Sequence, residues 1–286
     1  MKKAPDTVVS VEKENLISVK KPKKISFSRK YLGIPYALFL AMFVILPMGL
    51  ILYYAFTNNL TGKFTFSNFG KFFSSASTLS TLFMSLLLAF LTTVCCLLLG
   101  YPVAYILARC NIKKSSVLLM LFITPMWINF VLRAMAMKEV LNLFGMLGKC
   151  NFLNTLIGMV YDYLPFMILP LYTVLLKMDK NVLEASEDLG ASPLVTFTRV
   201  TLPLSLPGII SGITMVFMPT MTCYVISDTF GNSKITIIGK LIESQFGEAN
   251  NWSYGSAIAL ILLFIMFLCM LITGEFGSKN NRGTAL

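Results

Sequence analysis

The stretch from Glu184 to Gly208, EASEDLGASPLVTFTRVTLPLSLPG, decides how this chain is read. It is a polar, helix-forming interruption between long apolar runs. Asn181 stands three residues before Glu184, so an Asn cap with a Glu reaching back to it predicts a short helix through Leu189. Gly190 supplies a left-handed stop. Ser192 followed by Pro193 predicts a second short helix, because proline at the first helical position gives up no needed hydrogen bond. Leu202-Pro203 is expected to end it, and Pro207-Gly208 leads into the next apolar run. Ala185, Ser186, Gly190 and Ala191 leave a shallow face that another protein can approach closely. The plain alternative is a surface loop joining two membrane helices.

The surroundings are built for lipid. Hydrophobic residues make up 56% of the 286 residues, and the mean hydropathy is +0.75, well above an ordinary soluble domain. This predicts an all-α, multi-pass protein of the cell membrane. The net charge of +11 is not gathered into a nucleic-acid-binding face but lies in the first segment and the loops. There is no histidine, which removes His-based catalysis and most zinc sites. Of six cysteines, Cys95, Cys96, Cys110, Cys223 and Cys269 fall in or beside apolar spans and Cys150 stands in a loop, which gives no disulfide framework and no metal spacing.

A membrane helix needs roughly 20 mainly apolar residues. Six stretches qualify: residues 31–56, 79–108, 117–137, 152–176, 206–227 and 254–276. The second is longer than needed and holds Gly100-Tyr101-Pro102, so it is expected to kink or to begin outside the bilayer. Residues 1–30 carry nine Lys or Arg and almost no apolar period, which reads as a basic cytoplasmic tail rather than a signal peptide. Basic residues favour the cytoplasmic side. Placing both termini inside, including a short tail over 277–286, puts 17 of the 24 there and makes the Glu184 loop, taken as residues 177–205, cytoplasmic. Neither an internal repeat nor a phosphate-binding loop is found, so one integral domain over 31–276 is expected and any ATPase lies in a partner.

Glu-Ala-small, three residues, Gly, nine residues, an aliphatic, one residue, Leu-Pro resembles the coupling-loop motif of ABC importer permeases. It matches at Glu184, Ala185, Gly190, Val200, Leu202 and Pro203, with Ser186 where alanine is usual and Val200 where isoleucine is common. Beyond the loop, several stretches resemble the first membrane subunit of spermidine/putrescine importers. They are Gly100 to Tyr105, Pro125-Met126-Trp127 running to Leu132-Arg133, Leu164 to Met167, Pro170-Leu171-Tyr172, Tyr224 to Asp228 and Gly239 to Ile242. The resemblance implies the fold of a type I, binding-protein-dependent importer permease. It also implies a second, similar permease, two cytoplasmic ATPase subunits that bind ATP and Mg, and an extracytoplasmic binding protein, with no cofactor in this chain. Glu184, Ala185, Ser186, Asp188, Gly190, Ala191, Leu202 and Pro203 then become the ATPase-coupling residues.

Candidate substrate-path residues are Asp162 with Tyr161 and Tyr163, together with Trp127, Tyr224 and Asp228. A carboxylate within the membrane is costly and is by default functional or paired. Carboxylates and aromatic faces are also what a flexible cationic polyamine requires. Asp162 either lines the path or pairs with Arg133; Asp228 either belongs to an acidic vestibule or caps the next short segment. Glu243, Glu248 and Trp252 are expected to meet the binding protein or to be solvated. Arg133 and Lys138 bring positive charge to the same mouth, where they position carboxylates, snorkel to lipid headgroups, or, facing the path, favour an anionic solute. Pro219 is a hinge or an ordinary packed kink. The alternatives to a polyamine permease are the same architecture carrying an oxyanion or a metal chelate, a secondary transporter with paired inverted halves, and a membrane-embedded enzyme.

Overall fold

The computed structural model describes residues 33–59, 61–109, 114–231 and 235–283. The predicted basic tail over 1–30, Cys110, Lys113 and residues 284–286 lie outside the described residues. Two units divide the chain after Pro47, and the first, described from Gly33, is purely helical. Among the described residues the only extended pairing is an isolated antiparallel bridge between Thr57 and Phe64.

Five helices are long and apolar enough to cross a membrane: α1 (Pro35–Ala55), α3 (Ala76–Arg109), α6 (Asn151–Lys177), α8 (Pro193–Thr222) and the apolar part, Trp252–Gly274, of α11. Between them stand α2 (Ser67–Ser74), α4 (Ser115–Trp127), α5 (Phe130–Leu143), α7 (Lys180–Asp188), α9 (Tyr224–Phe230) and α10 (Ile238–Phe246). The 34 residues of α3 correspond to about 50 Å at 1.5 Å per residue, against a hydrocarbon core of about 30 Å. It therefore projects well beyond the lipid.

The centre of the fold is α6, packed against α3 and α8. Leu88, Cys96 and Ala104 from α3, Met159, Met167, Ile168 and Leu171 from α6, and Ile209 and Val216 from α8 share one core. In lipid there is little hydrophobic drive between helices, so close packing and small residues decide contact. Gly208 and Gly212 stand one turn apart on α8 and face α6. A methyl group at Gly208 would lie 3.1 Å from Val174 Cβ, and one at Gly212 would lie 2.5 Å from Met167 Sδ. The hydroxyls of Tyr101 and Ser205 join α3 to α8 at 2.9 Å.

Two expectations are corrected. The apolar run 117–137 is not a straight span, because α4 and α5 meet at a bend of 101°. Pro125 tightens Thr124–Trp127 into a 3-10 turn, Ile128 is extended, and the Asn129 side chain accepts from Val131 N at 2.9 Å to start a new helix. Second, the helix begun at Pro193 does not stop at Leu202-Pro203 but runs to Thr222. Proline lacks an N–H and crowds the carbonyl four residues back. The wider π turn Phe197–Thr201, closed by Leu202 N donating to Phe197 O, accommodates it. Its far end is also earlier than predicted: Cys223 breaks the chain, and Tyr224 to Ser227 begin α9. The last predicted span, 254–276, agrees with the apolar part Trp252–Gly274, and its helix α11 runs on to Gly283.

Candidate functional site

Two places in the fold carry chemistry. The first is the segment after α6. Its helix α7 starts at Lys180 and is capped two residues earlier than the predicted Asn181 cap, because Asp179 accepts from Asn181 N at 3.0 Å. Gly190 has φ +80 and ends the helix as predicted. Gly190 N donates to Glu187 O at 2.8 Å and Ala191 N to Ser186 O at 3.1 Å, the pattern that satisfies terminal carbonyls. Ser192 and Pro193 then start α8 as predicted.

Ser186, the departure from the usual alanine, has a structural use. Its hydroxyl meets Thr196 Oγ1 at 2.9 Å and ties α7 to the start of α8. Phe197 stands edge-on to the rings of Tyr101 and Tyr105, each at 5.7 Å. Arg109, at the end of α3, donates to Met178 O at 3.1 Å. The segment is thereby fastened to α3. Glu184, Ala185, Asp188 and Gly190 are exposed, Ser186, Ala191 and Pro203 are half-buried, and Leu202 is at the edge of exposure. Leu189 and Leu194 are 89% and 73% exposed. Two such leucines on a polar segment are a surface suited to a partner protein; the motif reading passed over them because neither is a motif position.

The second place lies around α5, α6, α9 and α10. Arg133 Nε donates to Asp162 Oδ1, and Arg133 Nη1 donates to Pro125 O at 3.0 Å. Both side chains are buried, Asp162 with 1% exposure. One guanidinium therefore joins α6 to the turn at the α4–α5 bend. Of the two roles left open by sequence, pairing with Arg133 is present, yet Asp162 also lines a cavity of 370 Å³ with Arg133, Tyr163, Cys223, Phe130 and Phe166. Its Oδ2 is buried and makes no hydrogen bond. Tyr161 is 39% exposed, with the Arg133 guanidinium 6.0 Å from its ring centre. Trp127 is 86% exposed and does not line this cavity.

Cys223 leads from that cavity into α9, whose Tyr224 and Asp228 are one turn apart. On α10, Lys240 Nζ lies 3.2 Å from Asp228 Oδ2 and 3.0 Å from Glu243 Oε2. It also stands 5.3 Å from the centre of the Tyr224 ring. Hydrogen bonds to Glu243 and then Asp228 push its pKa above the ordinary lysine value. Asp228 sits inside α9 rather than at its start, and it shares the Lys240 ammonium with Glu243. Gly239 makes this possible, since a methyl group there would lie 2.8 Å from Thr222 C, and its absence lets α10 close on the end of α8. Lys240 and Glu243 were legible as an i, i+3 pair. Their meeting with α9 was not. Glu248 is exposed, and Trp252 Nε1 donates to Asn250 Oδ1 at 2.8 Å.

The helical fold, with its spans and connecting helices, is that of a permease of the binding-protein-dependent class. The family model described as "Binding-protein-dependent transport system inner membrane component" matches residues 100–276, and the chain belongs to that family. It is an integral membrane transport subunit rather than an enzyme. Among curated proteins it is 35% identical over 267 residues to the spermidine/putrescine transport system permease protein PotB of Haemophilus influenzae, covering 86% of this chain and 93% of that one. The identity to PotB of Escherichia coli K12 is again 35%, over 86% of this chain and 97% of the relative. Of solved structures, a bacterial ABC transporter involved in import of the acidic polysaccharide alginate matches with a TM-score of 0.68 at 15% identity, over 88% of this chain and 95% of that one. The MetNI methionine ABC transporter matches with a TM-score of 0.55 at 18% identity, over 72% of this chain and 99% of its own. Both support the permease fold.

Proposed function

We propose that this chain is the first permease subunit of an ATP-driven importer of polyamines such as spermidine and putrescine. The observation that carries the reading is the 35% identity to the two PotB proteins across nearly their whole length. The chemistry agrees with it. Asp162 and Asp228 stand beside aromatic rings, and together these suit alkylammonium groups. An anionic solute loses its main support because the Arg133 charge is taken up by Asp162.

In this reading the chain pairs with a second, similar permease, two ATPase subunits that hold ATP and Mg, and an extracytoplasmic binding protein. Basic residues place both termini and the 177–205 segment in the cytoplasm. Closing of the ATPase pair on ATP moves α7 and the π turn of α8. The ring contacts of Phe197 and the Arg109 bond pass that motion to α3, so the permeases rock and the path changes its open side. Asp162, Tyr161, Tyr163, Tyr224 and Asp228 line the solute's way; Trp127 marks the exposed turn beside it.

The test is uptake of labelled spermidine by cells lacking the chain and by the same cells with it restored. Uptake that disappears and returns supports the reading. Unchanged uptake overturns the polyamine assignment.

A further inference from the structure

The carboxylates of the second place are already occupied by cations belonging to the chain, and the two occupants differ in how firmly they are held. Arg133 is 7% exposed and bonded both to Asp162 and to the Pro125 carbonyl. Removing a buried partner of this kind is costly, so Arg133 is a fixed counter-ion. Lys240 is the opposite case. It is 32% exposed and its partners Asp228 and Glu243 are 35% and 41% exposed, so water reaches part of each side chain, although the Glu243 Oε2 that faces Lys240 is itself buried. Ion pairs in such settings are worth little and exchange readily.

What Lys240 occupies has a definite chemistry. Two carboxylates from successive helices and the face of Tyr224 surround one primary ammonium on a flexible four-carbon stem. Those are the contacts a primary alkylammonium of a solute would seek. The place is open to solvent, and it adjoins through Cys223 the cavity in which Asp162 Oδ2 is buried without a hydrogen bond. Gly239 holds α10 close enough to the end of α8 for Lys240 to reach across.

We propose that Lys240 is a tethered stand-in for the solute. Its ammonium fills the Tyr224–Asp228–Glu243 cage when no solute is present, and an arriving alkylammonium takes its place. Lys240 thereby sets a threshold for specificity. A small, strongly hydrated inorganic cation gains little by displacing it, because the contact of the Lys240 ammonium with the Tyr224 ring is lost, whereas an alkylammonium restores that contact in kind. Release is eased as well, since the returning lysine competes for the cage. The inference rests on the polyamine reading above.

The experiment is equilibrium binding of labelled spermidine to the assembled transporter in zwitterionic lipid nanodiscs, without binding protein, for the wild type, Lys240→Met and Lys240→Arg. Lys240→Met removes the competitor and is expected to bind about fivefold more tightly, the scale of an exposed ion pair or two, with stronger inhibition by sodium chloride. Lys240→Arg keeps the competing charge and is expected to bind as the wild type does. Equal or weaker binding by Lys240→Met overturns the proposal. A second measurement needs no variant: acylation of Lys240 in the wild-type transporter, followed by mass spectrometry with reagent in large excess, is expected to quicken several-fold when spermidine is added. An unchanged or slower rate overturns the exchange. The reading beneath it fails separately, if the wild-type transporter supports no spermidine uptake.

Discussion

Replacing Arg133 by methionine takes away the guanidinium that neutralises Asp162 and bonds to Pro125 O. Asp162 has 1% exposure and its other oxygen is already without a hydrogen bond, so no neighbouring donor is in place to compensate. Breaking a buried pair on one side typically costs about 3–5 kcal/mol, and the lost bond to the turn adds about 1 kcal/mol. Arg133→Met is therefore expected to destabilise the folded protein by about 4–6 kcal/mol. The double variant Arg133→Met/Asp162→Leu removes the stranded charge too and should recover most of that loss, since replacing a whole buried pair by apolar groups is often close to neutral. A thermal-unfolding series in detergent on the wild type, both single variants and the double variant closes the cycle. If Arg133→Met unfolds within about 1 kcal/mol of the wild type, or if the double variant is no more stable than Arg133→Met alone, the reasoning is wrong. The α4–α5 bend would then be held by backbone and packing, and the pair would be incidental.

Three further outcomes test the other parts of the molecule. Glu184→Arg reverses an exposed charge on α7 without touching a packed residue, so the protein should insert normally while its ATPase co-purifies in much reduced amount; undiminished co-purification removes Glu184 from the coupling surface. Gly190→Ala forces a side chain into φ +80 and is expected to cost about 1 kcal/mol in local stability, seen as faster proteolysis or hydrogen exchange over α7; unchanged exchange refutes the role of this turn. Gly239→Ala puts a methyl group against the Thr222 backbone and should cost about 1–3 kcal/mol by overpacking. It should also remove the slow acylation of Lys240, which normal labelling in an otherwise folded protein would contradict.

Hydropathy and local motifs carried far because each depends on neighbouring residues alone. Transfer into lipid depends on the composition of a run, so the apolar stretches stood out. Gly190 and Ser192-Pro193 act through their own backbone geometry, and they end and restart helices where their chemistry predicts. The Asn181 cap failed within the same segment, because Asp179 stood two residues earlier with an equally suitable side chain. Sequence supplied candidates at that position, and the geometry of the chain leaving α6 chose between them.

The run 117–137 shows where composition stops being informative. It is apolar almost throughout its first half, with Thr124 the exception, and apolarity measures a preference for lipid without a direction, so a straight span and a sharply bent pair score alike. The bend depends on Pro125, Ile128 and Asn129 acting together, with Arg133 reaching back to the turn and across to α6. Pro203 shows the reverse error. A proline reads as a stop when only the four-residue helical ladder is considered, yet one π turn carries the chain through it.

By itself the sequence determined that this is a helical membrane permease and marked out the Glu184 segment proposed to couple it to an ATPase, because both are written in contiguous residues. Only the tertiary structure decided which charges meet. Arg133 and Asp162 are 29 residues apart, and Lys240 on α10 meets Asp228 on α9. The energy of a charge in or beside lipid depends on what lies within a few ångströms of it. That distance is set by how α5, α6, α9 and α10 pack, not by the order of residues along the chain.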